Sequence, residues 1–492
     1  MNIKEAKQQI KNTLRAYLQR DGLGNYKIPS VRQRPVLLIG PPGIGKTQIM
    51  EQIASEENVG LVAYTITHHT RQSAIGLPFI EKRIYNGKEY SVTEYTMSEI
   101  IGSVYSLMEN TGIKEGILFL DEINCVSETL APMMLQFLQC KTFGNQKLPE
   151  GWLIVAAGNP PEYNRSVRDF DVVTLDRVKR MNIEEDFSVW KEYAVAKGLH
   201  GSVVSYLDIK KDNFYKIENS PDGLQFATAR GWEDLSEIIS SYEELNIPVD
   251  VSVIEQYIQL PSIARDFTNY LNLYRKYEKA YHVDAILCGN WSKVSESEFR
   301  NAPFDEKLAV LNLLWSRLAQ SAASLRMQDE ITSALYNDLR VVKDNSVKAE
   351  DILEGMISEK RKAIEISAAA GQNDRRKSAV LKKETETLGE YLKAARQNSD
   401  SVMEELKKLF AKETGSRESL AEETGRQMEN AFRFIESAEG QSQSMVFFVT
   451  DITACPDTSW FVGEFGSDAY FRNNHDLLLD ETRKELIHKI MS

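Results

Sequence analysis

Apolar residues recur along the N-terminal part of the chain in two rhythms. Residues 3–18 place Ile3, Ala6, Ile10, Leu14 and Tyr17 three or four apart with charges between, the spacing of an amphipathic helix. Three unbroken apolar runs follow, "VLLI" at 36–39, "ILFL" at 117–120 and "LIVAA" at 153–157, with "LVAYTI" at 61–66 as a fourth. Such runs read as strands buried on both faces, and "TQIMEQIASEE" and "SETLAPMMLQFLQ" between them read as helices. Strand alternating with helix predicts an α/β layer around a largely parallel sheet. Within "KRIYNGKEYSV", Asn86-Gly87 predicts a two-residue hairpin inserted into that alternation, because a type I′ turn needs positive φ at both central residues.

After residue 186 the pattern turns mostly helical, clearest in "ATARGWEDLSEIISSYEEL" and "SVIEQYIQLPSIARDFTNYLNLYRKYEKAY". From about residue 340 Glu, Lys and Ser dominate. There Leu381, Leu388, Leu392, Ala395, Val402, Leu406 and Leu409 follow a three–four spacing, with Thr385 and Ser399 filling gaps. Ser401-x-x-Glu404 and Ser419-x-x-Glu422 have the form of capping boxes and predict several helices, a flexible charged segment being the alternative. "MVFFVT" reads as one more strand, followed by the amphipathic "DETRKELIHKI". The expected division is a nucleotide-binding core at 1–186, a helical lid at 187–283 and a charged, mostly helical region at 284–492.

Composition narrows the class. A chain of 492 residues, 42% hydrophobic and 27% charged, is long enough for two or three ordinary globular domains. No signal-like apolar region follows "MNIKEAK" and no run nears the ~20 residues of a membrane span, so the cytosol is the expected compartment. Cys125, Cys140, Cys288 and Cys455 lack C-x-x-C spacing and are expected to be reduced, mostly buried thiols. The pair His68 and His69 has no carboxylate or thiolate near it in sequence and does not read as a metal site. The net charge of −13 disfavours nucleic acid as the principal ligand.

The chemistry concentrates after the first strand. "GPPGIGKTQ", running Gly40, Pro41, Pro42, Gly43, Ile44, Gly45, Lys46, Thr47 and Gln48, contains the phosphate-loop pattern G-x-x-x-x-G-K-[ST]. Its glycines let backbone N–H groups approach phosphate at a helix start; Lys46 supplies charge to the β/γ oxygens and Thr47 a hydroxyl for Mg²⁺. "ILFLDE" ends a buried strand in two carboxylates, Asp121 for the metal's water shell and Glu122 as base for an attacking water. Asn159, closing the strand in "LIVAAGNPP", is placed to hold that water. Arg177 and Arg180 in "LDRVKR" are candidates for stabilising charge on the departing phosphoryl group, and Arg230 in "FATARGWEDL" opens a helix of the next region.

These five segments, in this order, resemble an AAA+ ATPase: Walker A, Walker B, sensor 1 at Asn159, an arginine finger in "LDR" and sensor 2 at Arg230. "DEIN", "LDR" and the hairpin at Asn86-Gly87 resemble its MoxR-like, dynein-related branch with a helix-2 insert; Thr228 and Ala229 stand where that branch has Ser-Pro before the sensor-2 arginine. The resemblance covers roughly residues 30–283. It implies a core sheet ordered 5-1-4-3-2 with helices on both faces and a helical lid, and ATP hydrolysis with Mg²⁺. It also implies a ring, most often a hexamer, with the finger supplied by a neighbour. The implied role is chaperone-like remodelling of a client protein, sometimes beside a partner with a von Willebrand factor A domain. A nucleic-acid motor or loader of the same superfamily and a nucleotide-stabilised scaffold without turnover are the alternatives. "DITAC" at 451–455 resembles the D-x-S-x-S metal site of a von Willebrand A domain, but Cys455 breaks the pattern.

Overall fold

The computed structural model describes residues 1–68, 72, 74, 76–143, 146–163, 170–220, 223–344, 349–372, 374–397 and 402–474. The chain forms two compact units, Met1–Asp186 with Ser358–Ala379, and Phe187–Ile357 with Val380–Ser492.

The first unit is built on a parallel sheet of five strands. They are β1 (Val36–Ile39), β2 (Gly60–Thr65), β5 (Gly116–Asp121), β8 (Trp152–Gly158) and β9 (Lys179–Asn182), in the order β2-β5-β8-β1-β9. Counted along the sheet strands alone this is 5-1-4-3-2, with Val36 opposite Val155 on one side and Lys179 on the other. The apolar runs are strands because helices cover both faces. Val36, Leu38, Phe119 and Val155 pack with Ala6, Ile10 and Leu14 of α1 (Ile3–Leu18) and Ile49, Met50 and Ile53 of α2 (Lys46–Glu57). Leu37, Leu118, Leu120 and Ile154 face the other way, onto Ile100, Ile101 and Val104 of α3 (Glu99–Thr111) and Met134 and Phe137 of α4 (Ala131–Cys140). Asn2 closes a capping box with Glu5 and fixes where α1 begins.

Between β2 and α3 stands the ribbon β3 (Pro78–Tyr85) and β4 (Lys88–Tyr95), with Tyr85 opposite Lys88. Asn86 at φ 50° and Gly87 at φ 77° form the turn the dipeptide predicts. A shorter ribbon, β6 (Thr142–Phe143) and β7 (Gln146–Lys147), follows α4.

The second unit is mostly helical. It opens with α5 (Phe187–Lys197) and α6 (Gly201–Ile209), then a ribbon absent from the sequence reading, β10 (Lys216–Ser220) and β11 (Gly223–Ala227). α7 (Ala229–Glu244) and α8 (Pro261–Tyr281) follow, and Trp190, Tyr206, Trp232 and Phe267 make their aromatic core. The stretch from Ser252 to Tyr281 is not one helix: Val251–Glu255 is a short helix of its own, and Pro261 starts α8.

Beyond lie α9 (Phe304–Asp344), α10 (Ala349–Ala369), α11 (Arg375–Gln397), α12 (Val402–Glu439), α13 (Gln443–Ala454) and α14 (Pro456–Phe465). Leu388, Ala395 and Leu406 are buried against Leu335 and Leu353, so the three–four spacing marks packed helices. Three expectations need correction. "MVFFVT" belongs to helix α13, because burial continues at Met445, Phe448, Val449 and Ile452, a helical period longer than the apolar run. Ser419 lies inside α12, which runs unbroken through it, so its capping-box spacing marks no helix start. Cys455 alone of the four free cysteines is buried; Cys140 and Cys288 sit exposed at helix ends and Cys125 is half-buried. His69, Ser399, Ser401 and "DETRKELIHKI" lie outside the described residues.

Candidate nucleotide site

The phosphate loop leaves β1 and enters α2. A Cβ on Gly40 would lie 2.7 Å from the Ile183 carbonyl oxygen and 2.9 Å from the Ile183 Cβ, so only glycine passes beside β9. Gly43 at φ 74° and Gly45 at φ 92° occupy left-handed conformations open to glycine. Gly45 is the N-cap of α2 and offers no side-chain cap, so the positive end of the helix dipole meets the loop without a competing oxygen.

Lys46 is buried, and its ammonium donates to the carbonyls of Gly40 at 2.8 Å and Pro41 at 2.7 Å and to Asn159 Oδ1 at 3.0 Å. The loop thus satisfies its own lysine, and phosphate oxygens would take the place of acceptors now arranged around that charge. One residue on, the Thr47 hydroxyl donates to Asp121 Oδ2 at 3.1 Å. Two neighbouring hard oxygens, a hydroxyl and a carboxylate, are the donor types Mg²⁺ takes, so the residues present fit that ion. Pro42, Ile44 and Gln48 complete the loop and the first turn of α2.

Glu122 follows Asp121 off the tip of β5 with φ 56°, a conformation uncommon outside glycine. Three contacts hold it there. The Asp121 Oδ1 accepts from the Glu122 amide at 2.9 Å, the Ile123 amide donates to the Ala157 carbonyl at 2.9 Å, and the Thr67 hydroxyl donates to Glu122 Oε2 at 2.8 Å. Asn124 then ties this turn to the neighbouring strand: its amide donates to the Asn159 carbonyl at 2.7 Å, and a Cβ on Gly158 would lie 2.4 Å from its Oδ1. Burial, with the charges of Glu122 and Asp121 behind it, raises the Cys125 thiol pKa, so that sulfur stays protonated beside the carboxylates.

Lys46 with Asn159, and Thr47 with Asp121 and Glu122, therefore form two hydrogen-bonded sets that meet at the consecutive residues Lys46 and Thr47. Arg177 and Arg180 bond elsewhere. Arg177 donates to the Gln139 side chain of α4, and Arg180, exposed on β9 opposite Leu37, donates through Nε to Asn182 Oδ1 at 2.9 Å. Arg230 lies in the second unit, exposed in the first turn of α7, where the Thr228 hydroxyl caps the helix by accepting from the Gly231 amide at 3.2 Å.

Thr67 and Asn124 had no functional reading in sequence. Asn124 stood in the open inside "DEIN"; Thr67, on a short turn two residues past β2, carries no motif. The "DITAC" residues do other work. Asp451 accepts from Lys191, the Thr453 hydroxyl donates to the Val449 carbonyl, and Cys455 is buried.

Comparison with known proteins bears on the fold of the first unit. Residues 35–178 match the family described as "AAA domain (dynein-related subfamily)". No curated protein matches the chain. Among solved structures it is similar to two RuvB mutants from Thermotoga maritima. One match is 14% identical, covers 46% of this chain and 63% of that one, and has a TM-score of 0.27. The other is 15% identical, covers 58% and 76%, and has a TM-score of 0.28. The chain thus spans less than two thirds of the first of these proteins. With the sheet order, the phosphate loop and the family match in agreement, the core of this chain has the AAA+ nucleotide-binding fold.

Proposed function

We propose that this chain is a Mg²⁺-dependent ATPase of the MoxR-like kind, working as a ring, most simply a hexamer, in the cytosol and remodelling a client protein. The observation that carries the enzymatic part is Glu122. A carboxylate held at positive φ, bonded by Thr67 and one residue from the Asp121–Thr47 pair, is more than nucleotide binding alone requires. That argues against a scaffold without turnover.

Lys46 and the Gly45–Lys46 end of α2 bind the β- and γ-phosphates. Thr47 and Asp121 hold Mg²⁺, which when bound neutralises phosphate oxygens and the charge that develops on them. Asn159, fixed between Lys46 and Asn124, orients the attacking water. Glu122 takes that water's proton as its oxygen bonds to the γ-phosphorus, and the bond to the β,γ-bridging oxygen breaks, leaving ADP and phosphate. Arg177 or Arg180, both exposed in the first unit, serves a neighbouring subunit's nucleotide, and the sensor-2 role of Arg230 rests on the family resemblance alone. The choice of ATP over GTP rests on the family resemblance.

A protein client rather than nucleic acid is supported by the net charge of −13 and by the β3–β4 ribbon, whose Ile80, Ile84, Tyr85 and Tyr90 are exposed. A partner with a von Willebrand factor A domain follows from the branch alone. Trapping tests the whole reading. Glu122→Gln loaded with Mg·ATP should retain ring and client in a long-lived complex, while a complex equally stable without nucleotide would refute ATP-dependent remodelling.

A further inference from the structure

One of the two edge strands of the core sheet is β2, and a distant segment packs on its first residues. Helix α10 ends at Ala369, and its closing turn, made by the Ala370 amide to the Ile366 carbonyl and the Gln372 amide to the Ser367 carbonyl, lies against the corner between α2 and β2. The Leu61 amide, first on the outer edge of β2, donates to the Ala370 carbonyl at 2.9 Å. Gly371 sits at φ 71°, where a Cβ would come 2.9 Å from the Leu61 carbonyl oxygen. The buried Gln372 side chain donates through Nε2 to the Val59 carbonyl at 3.1 Å and towards Asn58 Oδ1 at 3.4 Å. Just beyond, Asp374 accepts from the Ser55 hydroxyl and Lys377 donates to the Ser55 carbonyl. All of these contacts lie within the first unit.

What this turn grips matters. Residues Ser55 to Leu61 are the shared base of two elements whose other ends reach the site. α2 begins with Lys46 and Thr47; β2 leads in six residues to the turn that carries Thr67, which holds Glu122. A 12-residue helix and a six-residue strand are stiff over that length, so a shift at their common base is passed to both ends. We propose that the turn Ala370–Gln372 is a positioning clasp for the nucleotide site, aligning Lys46 and Thr47 with the Thr67–Glu122 pair from the far side of the core. This rests on the ATPase reading above and assigns to the C-terminal region a part in the site itself.

Coupling of this kind is reciprocal, so nucleotide must tighten the clasp as much as the clasp favours nucleotide. The test combines hydrogen exchange of the full chain, with and without Mg·ATP, and steady-state kinetics of Gln372→Met. That variant keeps the side-chain length and removes both donated bonds. Mg·ATP should slow exchange of the Leu61 amide, and should fail to do so in Lys46→Ala. Gln372→Met should lower kcat/KM by at least about five-fold in protein that remains folded at the assay temperature. A purely structural role predicts otherwise: a lower melting temperature with kcat and KM of the folded protein unchanged. If Mg·ATP binds but the Leu61 amide exchanges at the same rate and Gln372→Met turns over like the wild type, the clasp is wrong and the ATPase reading stands. If wild-type protein binds no Mg·ATP in calorimetry, the ATPase reading falls and takes the clasp with it.

Discussion

Glu122 is bound at every side that could set its direction: its own amide by Asp121, its carboxylate by Thr67, and the following amide by Ala157. Replacing the carboxylate by an amide preserves size and removes the base. Glu122→Gln is therefore expected to bind Mg·ATP and to lose roughly 10²–10⁴-fold in turnover, measured as phosphate release. A second residue gives a pH signature unrelated to catalysis. Lys141, buried at the end of α4 with Gln33 Oε1 at 3.2 Å, has its pKa lowered to about 8, first by burial and then by the charge of Lys147. Unfolded, the amine keeps its proton up to about pH 10.5, whereas folded it loses it above about pH 8. Between those values the unfolded chain binds more protons, so stability rises with pH; below about pH 8 the full cost remains. Lys141→Met should raise stability at pH 7 by roughly 1–3 kcal/mol and flatten its rise between about pH 8 and pH 10, read from urea midpoints. An unchanged slope would contradict this. At this scale the phosphate loop and the Asp121–Glu122 pair were legible, because their residue types at that spacing have few other uses. Thr67 was not, since its importance depends on a carboxylate 55 residues away.

Whether an element could be read from sequence depended on its surroundings. Four of the five sheet strands were recognisable because their apolar runs are covered on both faces, whereas β9, with the sequence Lys-Arg-Met-Asn, carries no such run; the β3–β4 turn was recognisable because Asn86-Gly87 suits one turn type. α13 was misread because a run of five apolar residues satisfies a strand as well as a helix, and only the packing of Ile452 beyond it decides. The turn after α10 was invisible, since its partner on β2 lies across most of the sequence. Two predictions belong here. Lys191 of α5 holds Asp208 of α6 at 2.6 Å and Asp451 of α13 at 2.7 Å, joining three helices of the second unit. Lys191→Met leaves two partly buried carboxylates near each other without their shared cation and should destabilise that unit by about 1–3 kcal/mol, with Asp451→Asn in the same chain recovering part of the loss. The β3–β4 ribbon, exposed along most of its length, should be dispensable for the core. Replacing residues 80–93 by a short glycine–serine turn is expected to leave Mg·ATP affinity within about two-fold. A larger loss would show that the ribbon supports the site.

For the whole molecule, the exposed positions of Arg177 and Arg180 set the question of assembly. If one of them completes a neighbour's site, Arg177→Ala or Arg180→Ala will keep nucleotide binding and lose turnover. Mixing that inactive variant with Glu122→Gln should then restore partial activity, because some interfaces combine an intact base with an intact arginine. No recovery at any ratio would remove action between subunits, and it would leave the chemistry within one subunit untouched. That chemistry is the central claim, and one measurement reaches it most directly. Wild-type, Lys46→Ala and Glu122→Gln proteins are incubated with Mg²⁺ and γ-labelled ATP, and the nucleotide bound to each is recovered and identified. The predicted result is ADP with released phosphate from the wild type, intact ATP held by Glu122→Gln and nothing held by Lys46→Ala. Intact ATP recovered equally from all three proteins, or no nucleotide from any, would contradict it.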